Sequence, residues 1–542
     1  MMKILGLQRL AGVMLAVTLA GAPLGAAMAQ PAAAPAPAAA TPAPDAAAAP
    51  ATAAPEAAVP AAAAPAEAAK PATISAPDWP KADPDAKAGD KSVNKADTVW
   101  MMVSTALVLL MTIPGLALFY GGLVRQKNML SMLMQVSVVT VIGMLAWALW
   151  GYSLAFTSGG GHDAFFGGFD RLFMKGLDGQ AGMAGTAAAA TFSTGTYIPE
   201  IVFFCFQMTF AAITAALVVG ALAERIKFSA ICAFAVLWPL VVYYPMAHMV
   251  WWWAGPDAVA SKAAGYEAAG FIFAKGGLDF AGGSVVHINA GIAALVGCIM
   301  LGKRKGYGTE AMPPHSLVMS LIGAGLLWVG WFGFNAGSNL EGNSYAVLAM
   351  TNTFLATAAA GFSWILTEWI VRGKPTMLGL ASGMVAGLVA VTPASGFAGP
   401  IGSLVLGLIV SPVCVFFCSY VKNLFKYDDS LDVFGVHGIG GMIGALGTGL
   451  LVNPAWGGAG VVDYANCAKD GAVLAVCPTA TYSMVSQMTS QLWDVGVTIA
   501  WSGIGSLLVF GLIKFTIGLR VSAEAEEEGL DISLHGERAY HS

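Results

Sequence analysis

The chain has 542 residues, of which 57% are apolar and only 11% charged, and its mean hydropathy is +0.71. A soluble globular domain carries about twice that charged fraction, so the composition excludes one and indicates a polytopic membrane protein. The formal net charge of −5 says little, because the placement of charge sets membrane topology, not its sum.

The chain opens with Lys3 and Arg9, an apolar stretch over 10–24 and the small-residue site Ala27-Met28-Ala29. This predicts a signal peptide over 1–29. The alternative is a first transmembrane helix, but the apolar stretch is short for one and a long polar segment follows. Residues 30–95 form a linker, almost pure Ala and Pro up to about 80, whose composition cannot build a core and predicts an extended, disordered segment.

From 96 onward, windows of about twenty apolar residues predict eleven spans. They lie near 97–123, 129–156, 199–222, 228–252, 279–301, 315–338, 344–371, 377–394, 400–421, 432–452 and 490–519. Every odd span ends beside basic residues: Arg125 and Lys127, Arg225 and Lys227, Lys303 to Lys305, Arg372 and Lys374, Lys422 and Lys426, and Arg520. The positive-inside rule then predicts an external N-terminus and a cytoplasmic C-terminus in the inner (plasma) membrane, as the signal peptide also requires. The transmembrane domain is expected over 96–520 and a cytoplasmic tail over 521–542. The expected fold is all-α: an inverted five-helix repeat plus one long final helix.

Five of the seven cysteines fall within spans, where they read as packing residues. Cys467 and Cys477 lie in the long external loop before the last span, where a disulfide suits the compartment; two free thiols are the alternative. No CxxC or HExxH spacing occurs, so neither a metal nor a cofactor is expected. No nucleophile–base arrangement suggests an enzyme. Lipid surrounds such a chain, and nothing calls for nucleic acid.

Two stretches look like copies of each other. Leu278-Asp279-Phe280-Ala281-Gly282-Gly283-Ser284-Val285-Val286-His287 opens the fifth span, and Leu431-Asp432-Val433-Phe434-Gly435-Val436-His437-Gly438 opens the tenth. Each begins with Leu-Asp, an N-cap signal, and places a lone histidine shortly inside a glycine-rich helix. Five spans separate the copies, so they run in opposite directions, the mark of an inverted repeat whose sites gather near the membrane midplane. At about 1.5 Å per residue the imidazoles reach roughly 12 and 8 Å in from Asp279 and Asp432. In a core about 30 Å thick they are expected to approach each other. The alternative is two separate structural histidines, each bonded to a carbonyl. Facing neutral imidazoles suit a small polar solute, since each ring offers one donor and one acceptor. Asp279 and Asp432 read mainly as caps, and Asp279 is also placed to favour a cation electrostatically.

Aromatic residues form a second group. Phe203, Phe204, Phe206 and Phe210 stud the third span, and Trp251, Trp252 and Trp253 close the fourth. Trp331, Phe332 and Phe334 lie in the sixth, just before Asn335-Ala336-Gly337-Ser338. Trp252 and Trp253 read as interfacial anchors. An inward-facing subset would bind a small cation through ring faces, with Ser338 alongside.

These motifs, with Gly330-Trp331-Phe332-Gly333-Phe334-Asn335-Ala336-Gly337-Ser338, Gly220-Ala221-Leu222-Ala223-Glu224-Arg225 and Ala247-His248-Met249-Val250-Trp251, resemble those of the ammonium transporter (Amt) family within the Amt/Mep/Rh superfamily. The resemblance runs from about Asp97 to the C-terminus and leaves the Ala/Pro linker outside. It implies a homotrimer of eleven-helix protomers, each with its own narrow pore for ammonium or ammonia. Carried over by motif, Phe206, Phe210, Trp251 and Ser338 form an external ammonium site, and Asp279 supports recruitment and deprotonation. Phe210 and Phe334 stack as a gate, and His287, His437 and Trp331 line the pore. The tail, with Gly529-Leu530-Asp531 and His535-Gly536-Glu537, is similar to a cytoplasmic tail that PII-type signalling proteins approach. An ammonium sensor acting through that tail, or a passive ammonia gas channel, are the alternative functions. The long external loops near 157–198 and 453–489 have no counterpart in what the resemblance implies.

Overall fold

The computed structural model describes residues 93–177, 187–262, 268–469, 472–474 and 477–540. The expected signal peptide, and the linker as far as residue 92, lie outside the described residues. Among the described residues eleven helices are long and apolar enough to cross a membrane. They are α1 (Lys95–Leu123), α2 (Gln126–Phe156), α3 (Glu200–Leu222), α4 (Phe228–Trp251), α5 (Gly283–Leu301), α6 (Leu317–Gly337), α7 (Ser344–Arg372), α8 (Met377–Ala394), α9 (Pro400–Phe425), α10 (Phe434–Leu451) and α11 (Met484–Thr516).

Helix is the form such segments must take, because hydrocarbon offers the backbone no outside hydrogen-bond partner. Their starts follow local capping. Asn94 accepts from the N–H of Ala96 and Asp97, so α1 begins at Lys95, just inside the stretch read as linker. Ser316, Asn343 and Thr376 cap α6, α7 and α8 through their side chains. Ser483 caps α11, which therefore starts six residues before the 490 that hydropathy alone suggested.

The two copies of the repeat, α1–α5 and α6–α10, meet at glycines. A Cβ on Gly291 of α5 would lie 2.3 Å from the backbone nitrogen of Gly438 in α10. A Cβ on Gly441 would sit 2.9 Å from the Gly283 carbonyl. The backbones of α5 and α10 thus touch directly, which brings their histidines within reach of each other. Helix α11 then clamps α5 from outside the repeat. Gln491 accepts from Leu278 N–H at 2.7 Å and donates to the Leu278 and Ala445 carbonyls, and Ser502 donates to the Asn289 carbonyl at 2.7 Å.

One face carries a folded cap. The strands β1 (Ala188–Ala190) and β2 (Tyr197–Pro199) pair antiparallel with Ala189 opposite Ile198. Their hairpin is tied to the loop before α11, where Thr194 donates to the Leu474 carbonyl at 2.7 Å and Cys467 and Cys477 are joined, Cα atoms 4.6 Å apart. The other face carries the basic loops and a tail helix, α12 (Ala523–Glu528).

Candidate functional site

Under the cap lies a cavity of about 440 Å³ bordered by Trp251, Gln207, Phe203, Asp279 and Ser338. Trp251 ends α4 and donates its indole N–H to the Asp279 carbonyl oxygen at 2.9 Å. Ser338 closes α6 and donates to the Phe334 carbonyl at 2.7 Å, which leaves its oxygen lone pairs free to accept. Phe206 and Phe210 sit one turn apart on α3, ring centroids 4.9 Å apart, and Trp251 meets Phe210 edge-on at 5.9 Å. Beneath them Phe210 and Phe334 stack at 4.1 Å and 12°, and both are buried.

Past that stack lies a separate, constricted space of about 10 Å³, bordered by Phe334, Trp331, His287, His437, Phe119 and aliphatic side chains. This is about the room of a single water-sized probe. The two imidazoles face each other with Nδ1 to Nδ1 at 3.2 Å. Each ring's Nδ1 thus has the other ring as its partner. Trp331 stacks on His287 at 5.4 Å and fixes its own indole by donating to Thr392 Oγ1 at 2.8 Å.

Both histidines ride on short π-helical turns at the helix starts, Gly283–Ile288 and Phe434–Gly438. The starts fall later than the Leu-Asp signals suggested, because the capping carboxylates reach forward. Asp279 takes four backbone N–H groups, those of Gly282 and Gly283 on Oδ1 at 2.9 and 2.6 Å and those of Ser284 and Val285 on Oδ2 at 2.8 and 3.1 Å. Gly282 takes φ +111 to make that turn, a conformation that favours glycine.

In the second copy Asp432 is not the cap. It has φ +60 and its carboxylate pairs with Lys422. Asp429 does the capping, accepting from the N–H of Val433 at 3.1 Å and Phe434 at 2.7 Å. Asp429 precedes His437 by eight residues, as Asp279 precedes His287, so Asp429 is the true counterpart. Burial, then the neighbouring Asp432, push the Asp429 carboxyl up to about 6, against the pull of Lys422 and the two N–H groups.

Three further residues escaped sequence reasoning. Gln491 holds Leu278, as described. Asp494 of α11 is fully buried and lies 2.5 Å from Ser284 Oγ, beside the Asp279 cap. Both sit about 210 positions from their partners, and no spacing rule connects them. His248, inside the Ala247-to-Trp251 motif, bridges the carbonyls of Ala155 and Asp163 at 2.9 Å each and stacks on Trp252. Trp253 stacks on Phe192 and Phe273, and both Trp252 and Trp253 border the large cavity.

Eleven membrane helices in two opposed repeats, which hold a cavity beside aromatic rings and a buried histidine pair, define a multi-pass membrane protein. The sequence pattern of the Ammonium Transporter Family matches residues 99–540, and the chain belongs to that family. An ammonium transporter of Aquifex aeolicus is 42% identical over 459 residues, 84% of this chain and 96% of that protein. One of Bacillus subtilis is 42% identical over 447 residues, 82% and 98% of the two chains. Among solved structures, Mep2 of Saccharomyces cerevisiae is similar with a TM-score of 0.66 at 30% identity, over 80% of this chain and 88% of that one. A structure described as a Sensor Amt Protein has a TM-score of 0.68 at 26% identity, covering 81% and 98%.

Proposed function

We propose that the protein transports ammonium: it captures the cation in the aromatic vestibule, and ammonia crosses the constriction after the proton is left behind. The observation that carries this reading is a roomy cavity with Trp251 and Ser338 in its wall, followed past the Phe210–Phe334 stack by an apolar space of about 10 Å³ bordered by both histidines. The ring faces of Phe206, Phe210 and Trp251 attract a cation, and Ser338 oxygen accepts one of its N–H groups. The Phe210–Phe334 stack is the gate, and Asp279 biases the entrance towards positive charge. A bare cation would lose its hydration in the bore with nothing to replace it, a cost of many kcal/mol that a neutral ammonia avoids. Potassium, of similar size, has no proton to give up and is excluded on that ground.

The same reading places the vestibule outside and the tail in the cytoplasm, three copies in the assembly, and the tail within reach of a PII-type partner. Its test is the current across vesicles holding purified, reconstituted protein, pulsed first with ammonium and then with potassium. A current for ammonium alone is the expected result. Ammonia flux without current would make the protein a gas channel, and neither current nor flux would leave a sensor.

A further inference from the structure

The loop that leaves α2 carries four phenylalanines that no part of the conduit uses. Phe165 and Phe166 are 40% and 43% exposed, and Phe169 and Phe173 are each 69% exposed. Single exposed apolar residues are ordinary, but four aromatics within nine positions are not. We propose that this loop, 157–177, inserts into the membrane, with these phenylalanines among the acyl chains of the leaflet on the vestibule side.

Depth is what carries the inference. Phe165 stacks on Trp501 at 6.5 Å and 9°, and Phe166 lies 6.0 Å from the same ring. Trp501 sits near the middle of α11, 17 residues after Met484 and 15 before Thr516. At 1.5 Å per residue neither end of the helix is more than about 26 Å away. A hydrocarbon slab about 30 Å thick therefore contains Trp501 wherever it falls along that helix. Trp501 donates to the Val241 carbonyl at 3.2 Å, and Val241 is likewise well inside α4. The loop consequently lies against a part of the protein that faces lipid, and its apolar surface continues the membrane-facing surface of α11.

Part of its backbone is paired against the end of α2. Gly167 donates to the Leu154 carbonyl at 2.8 Å, Gly168 to Thr157 Oγ1 at 2.9 Å and Arg171 to Ser153 Oγ at 3.0 Å. Short turns from 162 to 177 satisfy further N–H groups internally. Non-helical backbone is tolerated at membrane depth only where protein buries it, so the paired stretch rests on α2 and the phenylalanine side chains alone enter the acyl region. The Arg171 guanidinium is paired with Glu200 at 2.8 Å; the half-buried Asp163 carboxylate accepts from Ser158 Oγ at 3.0 Å, and Asp170 and Lys175 are exposed.

Two measurements on the full-length reconstituted protein test the assignment. Photoreactive benzoylphenylalanine in place of Phe169 or Phe173, in the otherwise native chain, is expected to form lipid adducts on illumination. Phe515, 89% exposed on α11, is the positive control. Adducts to a second copy alone would overturn the proposal in favour of a protein interface. Single cysteines F169C and F173C, with the five unpaired cysteines replaced, are expected to react with an impermeant maleimide about tenfold more slowly than G161C, because an apolar setting suppresses the thiolate. Equal rates would show the loop in water and end the proposal.

Discussion

With Nδ1 facing Nδ1 at 3.2 Å, a neutral histidine pair shares one proton, one ring donating and the other accepting. That choice fixes the far side of both rings: the donor ring keeps a bare Nε2 and the acceptor ring an Nε2–H. The Nε2 of His287 has no partner among the described residues and borders the constriction. On the proposed transport reading, one ring offers an acceptor and the other a donor, which ammonia can satisfy together and a metal cation cannot. His287→Ala is expected to lower the ammonium-over-potassium current ratio by about tenfold or more, because it widens the space and lets water accompany a cation. An unchanged ratio in reconstituted vesicles would count against the histidines as the selective element. At Asp279 the expectation concerns stability as well. Asp279→Ala leaves four N–H groups at the head of α5 without their acceptor. An ordinary N-cap is worth about 0.5–2 kcal/mol. Orphaning several buried donors raises that to about 2–4 kcal/mol, read as a lower midpoint of thermal unfolding in detergent.

At the scale of helices, the histidine contact depends on how closely α5 approaches α10. Gly291→Val places a branched side chain where even a Cβ would be 2.3 Å from the Gly438 nitrogen. The helices must separate, so transport is expected to fall by about tenfold or more while the chain still inserts, since the spans keep their hydropathy. Wild-type flux from this variant would show that the close approach is dispensable. The capping exchange in the second repeat gives another test. Asp429→Ala removes the acceptor for α10 and is expected to destabilise by about 1–2 kcal/mol. Asp432→Ala breaks only a part-exposed ion pair and is expected to cost under about 1 kcal/mol. Equal unfolding midpoints would restore Asp432 as the cap. This is also where the sequence was readable and where it was not. Eleven apolar stretches and the basic residues after the odd ones are strong local signals, and every span was placed within a few residues except the start of α11, which Ser483 set. The His287 and His437 motifs were legible because both copies repeat Leu-Asp and a histidine. The same dipeptide misled the register, since it drew attention to Asp432 when the eight-residue spacing singled out Asp429. Gln491 and Asp494 were invisible, because a clamp from a helix some 200 positions away leaves no periodic trace.

Across the whole molecule, the face opposite the vestibule is held by ions where lipid cannot help. Glu224, buried, accepts from Arg125 at 2.8 Å and from Arg304 at 3.2 Å. Arg304 also pairs with Asp428 at 2.9 Å, and Arg225 donates to the Asp428 carbonyl at 2.5 Å. These contacts join the loops after α1, α3, α5 and α9, so both repeats are tied at one end. The tail extends the same network: Glu526 pairs with Arg520 at 2.6 Å and accepts from the Lys305 N–H at 2.6 Å, while Asp531 accepts from the N–H of Leu130 and Ser131 at the start of α2. Burial pushes the Glu224 carboxyl up, but Arg304 and Arg125 together hold it below its ordinary value. Burial likewise pushes the Asp428 carboxyl up, but Arg304 and Arg225 outweigh it and hold Asp428 below its ordinary value. A carboxyl lowered on folding stabilises fully above its unfolded pKa, about 4, and loses that contribution as the pH falls through the folded value. The contribution of Glu224 and Asp428 is therefore expected to hold from neutral pH down to about 4 and to be lost below it, whereas Asp429, raised to about 6 on folding, adds stability as the pH falls through 6. Glu224→Gln is expected to lower the midpoint at neutral pH and to flatten the acid decline, because the charge that titrates is gone while Arg125 and Arg304 lose their shared partner. A variant that melts lower at neutral pH yet keeps the full acid decline would place the titrating groups elsewhere, and the ion cluster would then be a consequence of the loops meeting, not the reason they stay together.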